Sequence, residues 1–169
     1  MAGALIVTVE IADRDFSWID ALRRAHYPAE RNQVPAHLTL FHALPPSSEN
    51  EVRRRLALAV RAPPPSATIA GLMDLGGGVA FRVVSPQLDR LREELASDLH
   101  GLLGAQDSSG WRPHVTIQNK VAPKTARVLI ASLQGEFEPR ALGVSGLALN
   151  RYLGGSWEPI ARFPFRGVS

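Results

Sequence analysis

The 169-residue sequence contains no cysteine. Its absence excludes disulfide scaffolds, thiolate zinc sites and cysteine nucleophiles, and it is compatible with a reducing compartment. No segment approaches the roughly 20 consecutive apolar residues that a membrane-spanning helix requires. The apolar beginning of the chain lacks the basic residues of a signal peptide. We therefore expect a soluble, cytoplasmic protein with no membrane partner.

The sequence also lacks a strong excess of charge of either sign. Nineteen Lys and Arg residues stand against 16 Asp and Glu residues, which gives a formal net charge of +3. Such a small excess permits an anionic partner without demonstrating one. The hydrophobic content of 45% is ordinary for a globular protein, and the length suits one domain or two small lobes with a shared core.

One short pattern, His-x-Thr followed by an aliphatic residue, occurs twice. It reads HLTL at 37–40 and HVTI at 114–117. From the five histidines and five threonines of the chain, chance predicts only about 0.15 His-x-Thr matches. Both copies have a proline upstream and another downstream, so the surroundings of the motif are repeated as well.

Strand geometry explains why this spacing matters. Side chains two positions apart in a β-strand point to the same face. His37 and Thr39 therefore share one face, and His114 and Thr116 share another. The aliphatic neighbours occupy the opposite faces, so each motif predicts a strand with a buried side and a polar side.

Hydrophobic periodicity and turn residues predict seven strands and four helices. Gly76-Gly77-Gly78 is predicted to be a hairpin turn. The predicted strands are at about 3–11, 37–44, 66–75, 79–84, 113–120, 141–152 and 156–165, and the predicted helices are at about 15–26, 48–62, 85–103 and 123–134.

This order indicates an internal duplication, β-α-β-α-β twice with one extra strand, and hence an α+β fold. We expect a single domain, 1–169, of two pseudo-symmetric lobes at about 1–76 and 77–169, with an exchange of terminal strands left open. Each motif lies on the second strand of its half. A pseudo-two-fold axis could therefore bring both polar faces to a shared cleft.

Two histidines and two threonines suit in-line attack on a phosphodiester. Imidazole titrates near pH 6.5, so one ring can act as a base while the other acts as an acid. The threonine hydroxyls can donate hydrogen bonds to the non-bridging phosphate oxygens and stabilise the charge that develops there.

The segments HLTL and WRPHVTI resemble the paired signatures of the two-histidine phosphoesterase superfamily, the 2'-5' RNA ligase-like group. The resemblance implies a bilobal α+β fold in which two antiparallel sheets face a central cleft, with helices outside. It further implies metal- and ATP-independent opening of 2',3'-cyclic phosphates, often to a 2'-phosphate, with no cofactor. Some members also join RNA ends reversibly through 2'-5' linkages. RNA ends or nucleotide cyclic phosphates are the implied partners.

The resemblance also assigns roles to residues. His37 and His114 become the catalytic pair, with His114 as the base toward water and His37 as the acid. Thr39 and Thr116 become the phosphate clamp. Ligase-like members carry an arginine shortly after the second threonine, whereas Lys120 is the cation available here.

Four further residues are candidates for substrate binding. Strand alternation places Gln118 and Lys120 on the cleft face, and Arg151 and Tyr152 are candidates for contacts with phosphate and base. Trp157 could make such a contact too, although Trp and Tyr residues in late strands more often lie in the core.

Several alternatives remain open from the residues alone. His37 and His114 could be structural, or could belong to a metal site, although neither motif offers a second ligand at suitable spacing. By alternation, His42 is expected opposite His37 in a structural role. The substrate could instead be a small cyclic nucleotide or an ADP-ribose cyclic phosphate, and the domain could bind RNA or nucleotides without catalysis. We expect a monomer.

Overall fold

The structure is a computed structural model that describes residues 3–167, in which eight strands form two four-stranded antiparallel sheets. Two short 3-10 helices span Ala29–Arg31 and Pro46–Ser48. The elements are β1 (Leu5–Ile11), α1 (Asp13–His26), β2 (Leu38–Leu44), α2 (Glu49–Ala59), β3 (Ala67–Asp74), β4 (Val79–Val84), α3 (Pro86–Asp98), α4 (Ala105–Ser108), β5 (His114–Gln118), α5 (Pro123–Gln134), β6 (Arg140–Leu142), β7 (Val144–Tyr152) and β8 (Trp157–Pro164).

The predicted α+β class with two antiparallel sheets is confirmed. The first sheet has the strand order β2-β1-β7-β8, and the second has the order β5-β4-β3-β6. Strand β3 from the first half of the chain therefore lies in the second sheet, while β7 and β8 from the end of the chain lie in the first. Both sheets contribute to one hydrophobic cluster, which α2 and α5 help to cover.

The predicted strand 141–152 is wrong as a single element, because the chain changes sheets at Gly143. Strand β6 pairs with β3 in the second sheet, and β7 pairs with β1 in the first. A Cβ atom on Gly143 would lie 2.8 Å from the Cβ of Ala12. The Gly143 N–H donates to Asp15 Oδ2, and its carbonyl accepts from the Ala12 N–H. Close backbone approach thus fixes the crossing at a glycine.

Both motif strands contain a β-bulge immediately after the threonine. In β2, Leu40 and Phe41 are both fully buried, and in β5 the adjacent Ile117 and Gln118 are both buried. The register agrees, since the pairing shifts by one residue at the same points. A bulge adds one residue and reverses the faces beyond it.

The bulges overturn two predictions that relied on strict alternation. Gln118 pairs with Val79 and is 3% exposed, so it lies on the core side and not on the cleft face. His42, expected on the buried face, is 39% exposed. Alternation therefore holds through each threonine and fails directly after it.

Strands β2 and β5 occupy the edges of their sheets and contact each other. Side chains from elsewhere hydrogen-bond the outer edge of β2. The Asp107 carboxylate accepts from the backbone N–H groups of His42 and Ala43 and also contacts His42 Nδ1. Arg92 donates to the Leu40 carbonyl. The segment predicted as a loop before β5 thus contains α4 and covers the edge of the other motif strand.

Candidate active site

The two motifs occupy equivalent places in the structure. His37 immediately precedes β2, and His114 is the first residue of β5. The aliphatic residues that alternate with the motif side chains are fully buried, whereas the histidines and threonines are partly exposed. Because β2 and β5 are in contact, the structure brings the polar faces of both motifs to one place.

Each imidazole is oriented by a carbonyl two residues earlier in the chain. His37 Nδ1 lies 2.8 Å from the Pro35 carbonyl oxygen, and His114 Nδ1 lies 2.7 Å from that of Arg112. A carbonyl only accepts, so Nδ1 carries the proton in both rings. The Nε2 atoms are therefore the ones available for proton transfer.

Each threonine is held through its backbone by a distant side chain. The Trp111 indole N–H donates to the Thr39 carbonyl at 3.0 Å. Arg23 Nη1 donates to the Thr116 carbonyl at 2.8 Å. The helix of the first half thus supports the motif strand of the second half, and the segment before the second motif supports the first. These contacts fix the strands that present the hydroxyl groups.

The surroundings of His37 lower its pKa to about 4. Partial removal of the ring from water is the largest cause, because it disfavours the charged form of the imidazole. The nearby charges of Arg23, His114 and His42 lower the pKa further, while the hydrogen bond to the Pro35 carbonyl opposes them. His37 is therefore neutral at pH 7 in the unliganded protein.

Of the two places considered for Trp157, the core and the cleft, the structure shows the second, because its ring lies beside His37. The centroids of the two rings are 4.6 Å apart, at an interplanar angle of 58°. Trp157 pairs with Tyr152 across the β7–β8 hairpin, so both aromatic rings are close to the first motif. The hairpin itself was predicted, but its position over His37 depends on the long-range pairing of β7 with β1.

Two cavities adjoin His37, and both also include Gln33, Val34 and Trp157 in their walls. The apolar cavity, of about 360 Å³, lies against the first sheet. Thr8, Gln33 and Asn150 are uncharged polar residues in its lining, where Glu10 also pairs with Arg162. Its walls include Phe16, Val34, Pro35, Trp157, Pro159 and Ala161.

The basic cavity, of about 370 Å³, lies between α1, the turn before α5 and the β7–β8 hairpin. Its walls include Arg23, Tyr27, Arg31, Lys120, Tyr152 and Trp157. Predicted residues Lys120 and Tyr152 therefore lie next to His37. The side chains of Arg23 and Arg31 were missed, because a single arginine in a predicted helix or loop carries no signal of its tertiary position.

Arg151 does not join the site. Its guanidinium donates to Glu49 at the start of α2 with an N–O distance of 2.6 Å, and it lies 3.4 Å from Glu158. Neighbours in a strand point to opposite faces, so Tyr152 reaches the basic cavity while Arg151 faces the helix. Gln118 is likewise outside the site, because the bulge in β5 places it on the buried side of the strand.

Among residues 3–167, no group of three or more His, Asp and Glu side chains has an arrangement that could hold a metal ion. In the same range, no helix is both long and apolar enough to cross a membrane.

A duplicated α+β fold that brings two His-x-Thr strands into contact defines the class of two-histidine phosphoesterases. The family profile of the 2'-5' RNA ligase superfamily matches residues 10–156. The chain belongs to this superfamily.

Solved structures support the same fold. TT0787 of Thermus thermophilus is 20% identical, with a TM-score of 0.68 over 98% of this chain and 100% of that chain. Escherichia coli LigT complexed with 3'-AMP is 19% identical, with a TM-score of 0.56 over 98% and 99%. LigT complexed with ATP is 18% identical, with a TM-score of 0.56 over 97% and 98%. No curated protein matches the sequence.

Proposed function

We propose that the protein is a metal- and ATP-independent phosphoesterase that opens 2',3'-cyclic phosphates of nucleotides or RNA ends. The observation that carries this proposal is the pair of imidazoles on contacting strands, each with Nδ1 bound to a backbone carbonyl and Nε2 free. Such a pair supplies both proton transfers that the reaction requires.

In the proposed reaction, water attacks phosphorus as the bond from phosphorus to the 3'-oxygen breaks. One Nε2 takes a proton from the water, and the other Nε2, carrying its second proton, gives that proton to the departing 3'-oxygen. The products are a 2'-phosphate and a free 3'-hydroxyl. A 5'-hydroxyl in place of water would form a 2'-5' linkage, which is the ligase reaction that the resemblance implies for some members.

His37 is the better candidate for the base. Its pKa of about 4 makes the ring neutral at pH 7, and a base must begin neutral. His114 then donates the proton to the leaving group. This order is the reverse of the one that the resemblance suggested.

The apolar cavity supports a nucleoside as part of the substrate. Its volume of about 360 Å³ falls within the range of small-molecule sites, and its aromatic and proline walls suit a base and a sugar. Asn150 and Thr8 in its lining are polar residues that can form hydrogen bonds with such a ligand. Since LigT has been crystallised with 3'-AMP and with ATP, a nucleotide ligand is consistent with the superfamily.

The test is hydrolysis of 2',3'-cyclic AMP in excess EDTA. We expect turnover that is unaffected by the chelator and by the absence of ATP, with adenosine 2'-phosphate as the product. Chromatography against authentic 2'- and 3'-phosphates identifies the isomer. Binding without turnover would favour the noncatalytic alternative, and turnover abolished by EDTA would contradict the metal-independent mechanism.

The pH dependence of kcat/KM tests the assignment of His37 as the base. The parameter reports the pKa of groups in the free enzyme, so we expect the acid limb of the profile to have its midpoint at the pKa of His37, about 4. If His37 were instead the acid, kcat/KM would already decline as the pH rises through that value.

Acid unfolding must be measured separately in this experiment. Unfolded histidine titrates near pH 6.5 and folded His37 titrates lower, so the unfolded state binds more protons as the pH falls through this interval. His37 therefore stabilises the fold fully above about pH 6.5 and loses this effect as the pH falls toward its folded pKa. Circular dichroism at each pH distinguishes loss of activity through unfolding from loss of activity through protonation of His37.

A further inference from the structure

We propose that the basic cavity binds a second phosphate of the substrate, next to the phosphate that reacts. The proposal rests on the proposed function, and it narrows the substrate from a cyclic mononucleotide to one that carries another phosphate. It stands on the juxtaposition of three cationic side chains, Arg23, Arg31 and Lys120, around a cavity that also contains His37.

These three cations are not neutralised by the protein. Within the described range 3–167, none of them lies within 4 Å of a carboxylate, and no Asp or Glu lines the basic cavity. Some surface arginines elsewhere do have such partners, as Arg54 has Glu51 and Arg162 has Glu10. The positive charge of this cavity is therefore available to an anion.

Arg23 is the cation on which the proposal depends most. Its side chain is 4% exposed, yet its hydrogen-bond acceptors are neutral: Asn32 Oδ1 at 2.9 Å and the Thr116 carbonyl at 2.8 Å. The guanidinium also lies over the Tyr27 ring, 4.4 Å from its centroid. Asp20 is the carboxylate whose charge acts on Arg23, but it makes no direct ion pair with it and contacts Arg24 instead. A buried charge without a direct ion-pair partner is costly, and a bound phosphate would offset that cost.

The two cavities differ in the charge of their lining residues, and this difference indicates which of them a second phosphate would enter. The apolar cavity has two carboxylates, Glu10 and Asp13, against one cation, Arg162, which is already paired with Glu10. This excess of negative charge disfavours an added phosphate. The basic cavity combines cations with Tyr27, Tyr152 and Trp157, a combination suited to a nucleotide chain. A second phosphate is therefore expected on the Lys120 side of His37.

The basic cavity is adjacent to the motif site but distinct from it. His37 lines the cavity, whereas Thr39, His114 and Thr116 do not. Lys120, held with a positive φ of 63° in the turn after β5, lines the cavity and follows the second motif in the chain. A ligand that spans His37 would place one phosphate between the motifs and the next among the three cations.

The second phosphate could be the 5'-phosphate of the same nucleoside or the diester that joins it to the preceding nucleotide. The experiment compares kcat/KM for 2',3'-cyclic AMP, for its 5'-phosphorylated form, and for the dinucleotide ApA with a 2',3'-cyclic end. We expect at least one of the two larger substrates to be preferred by about tenfold, as for a hydrogen bond to a charged group. The substrate that is preferred identifies whether the second phosphate is the 5'-phosphate or the diester.

Arg31→Gln is the test variant, because Arg31 is exposed and its replacement should not disturb folding. We expect it to reduce the preference to less than about threefold. Arg24→Gln is the matched control, since Arg24 is also exposed but lies outside the cavity and pairs with Asp20. Equal kcat/KM for all three substrates, or an undiminished preference in Arg31→Gln, would overturn the proposal.

A binding measurement separates this proposal from the proposed catalytic function. Calorimetry compares adenosine 2'-phosphate with adenosine 2',5'-bisphosphate and with ApA ending in a 2'-phosphate. Tighter binding of a two-phosphate ligand, lost in Arg31→Gln, supports the basic cavity even if no cyclic phosphate is opened. Equal affinities for all three ligands would overturn it even if the enzyme is active.

Discussion

Alanine in place of His37 or of His114 is expected to lower kcat/KM for opening a 2',3'-cyclic nucleotide by about 10² to 10⁴, the usual effect of one positioned proton transfer. Each ring has a separate task, so neither can replace the other. Both rings also depend on the same bound phosphate. The double variant is therefore expected to lose little more than the more severe single variant. Steady-state kinetics in excess EDTA provide the measurement.

His100→Ala is the matched control, since His100 is an exposed histidine beyond the end of α3 and outside both cavities. It should leave kcat/KM within about twofold, because exposed substitutions away from a site have small effects. Thermal unfolding of all variants shows whether any loss reflects the fold. Full activity in either His37→Ala or His114→Ala would exclude the two-histidine mechanism.

Valine in place of Thr39 or of Thr116 is expected to lower kcat by about 10² to 10³, with a smaller effect on KM. Valine keeps the shape of the side chain and removes only the hydroxyl. The donor that threonine offers to a non-bridging oxygen matters most when charge develops there, and loss of one such donor usually has an effect of this size. Serine at either position keeps the hydroxyl and should recover most of the rate.

Thr125→Val provides the corresponding control, because Thr125 is exposed on α5. The distribution of the effect between kcat and KM is the informative readout. A threonine that only packs within its strand would change stability, and serine would not rescue its loss. Thr39→Val and Thr116→Val variants that both retain kcat within about threefold would contradict a phosphate clamp.

The motif and its neighbours allowed much of the site to be predicted. Local alternation places His37 with Thr39 and His114 with Thr116, and that holds because it spans only three residues of one strand. It fails at Gln118, because a bulge depends on pairing with the adjacent strand and cannot be recognised from the residues of one strand alone. The same limitation concealed the change of sheets at Gly143.

The supporting residues could not be predicted for a different reason. Arg23 reaches Thr116 across 93 positions, and Trp111 reaches Thr39 across 72. Nothing in the local sequence separates such an arginine from one on a solvated helix face. Arg151 shows the opposite error, since a cation next to a predicted site residue turned out to pair with Glu49 on a helix.

The exchange of strands between sheets has a consequence for how the polypeptide acquires its shape. Leu5 pairs with Arg151, so one side of β1 remains without its neighbour until nearly all of the chain has been synthesised. Contacts between such distant positions slow folding, and the edges of the strands stay unpaired until these contacts form. An N-terminal fragment that ends after the first motif would hold His37 and Thr39 on a sheet that lacks half its strands.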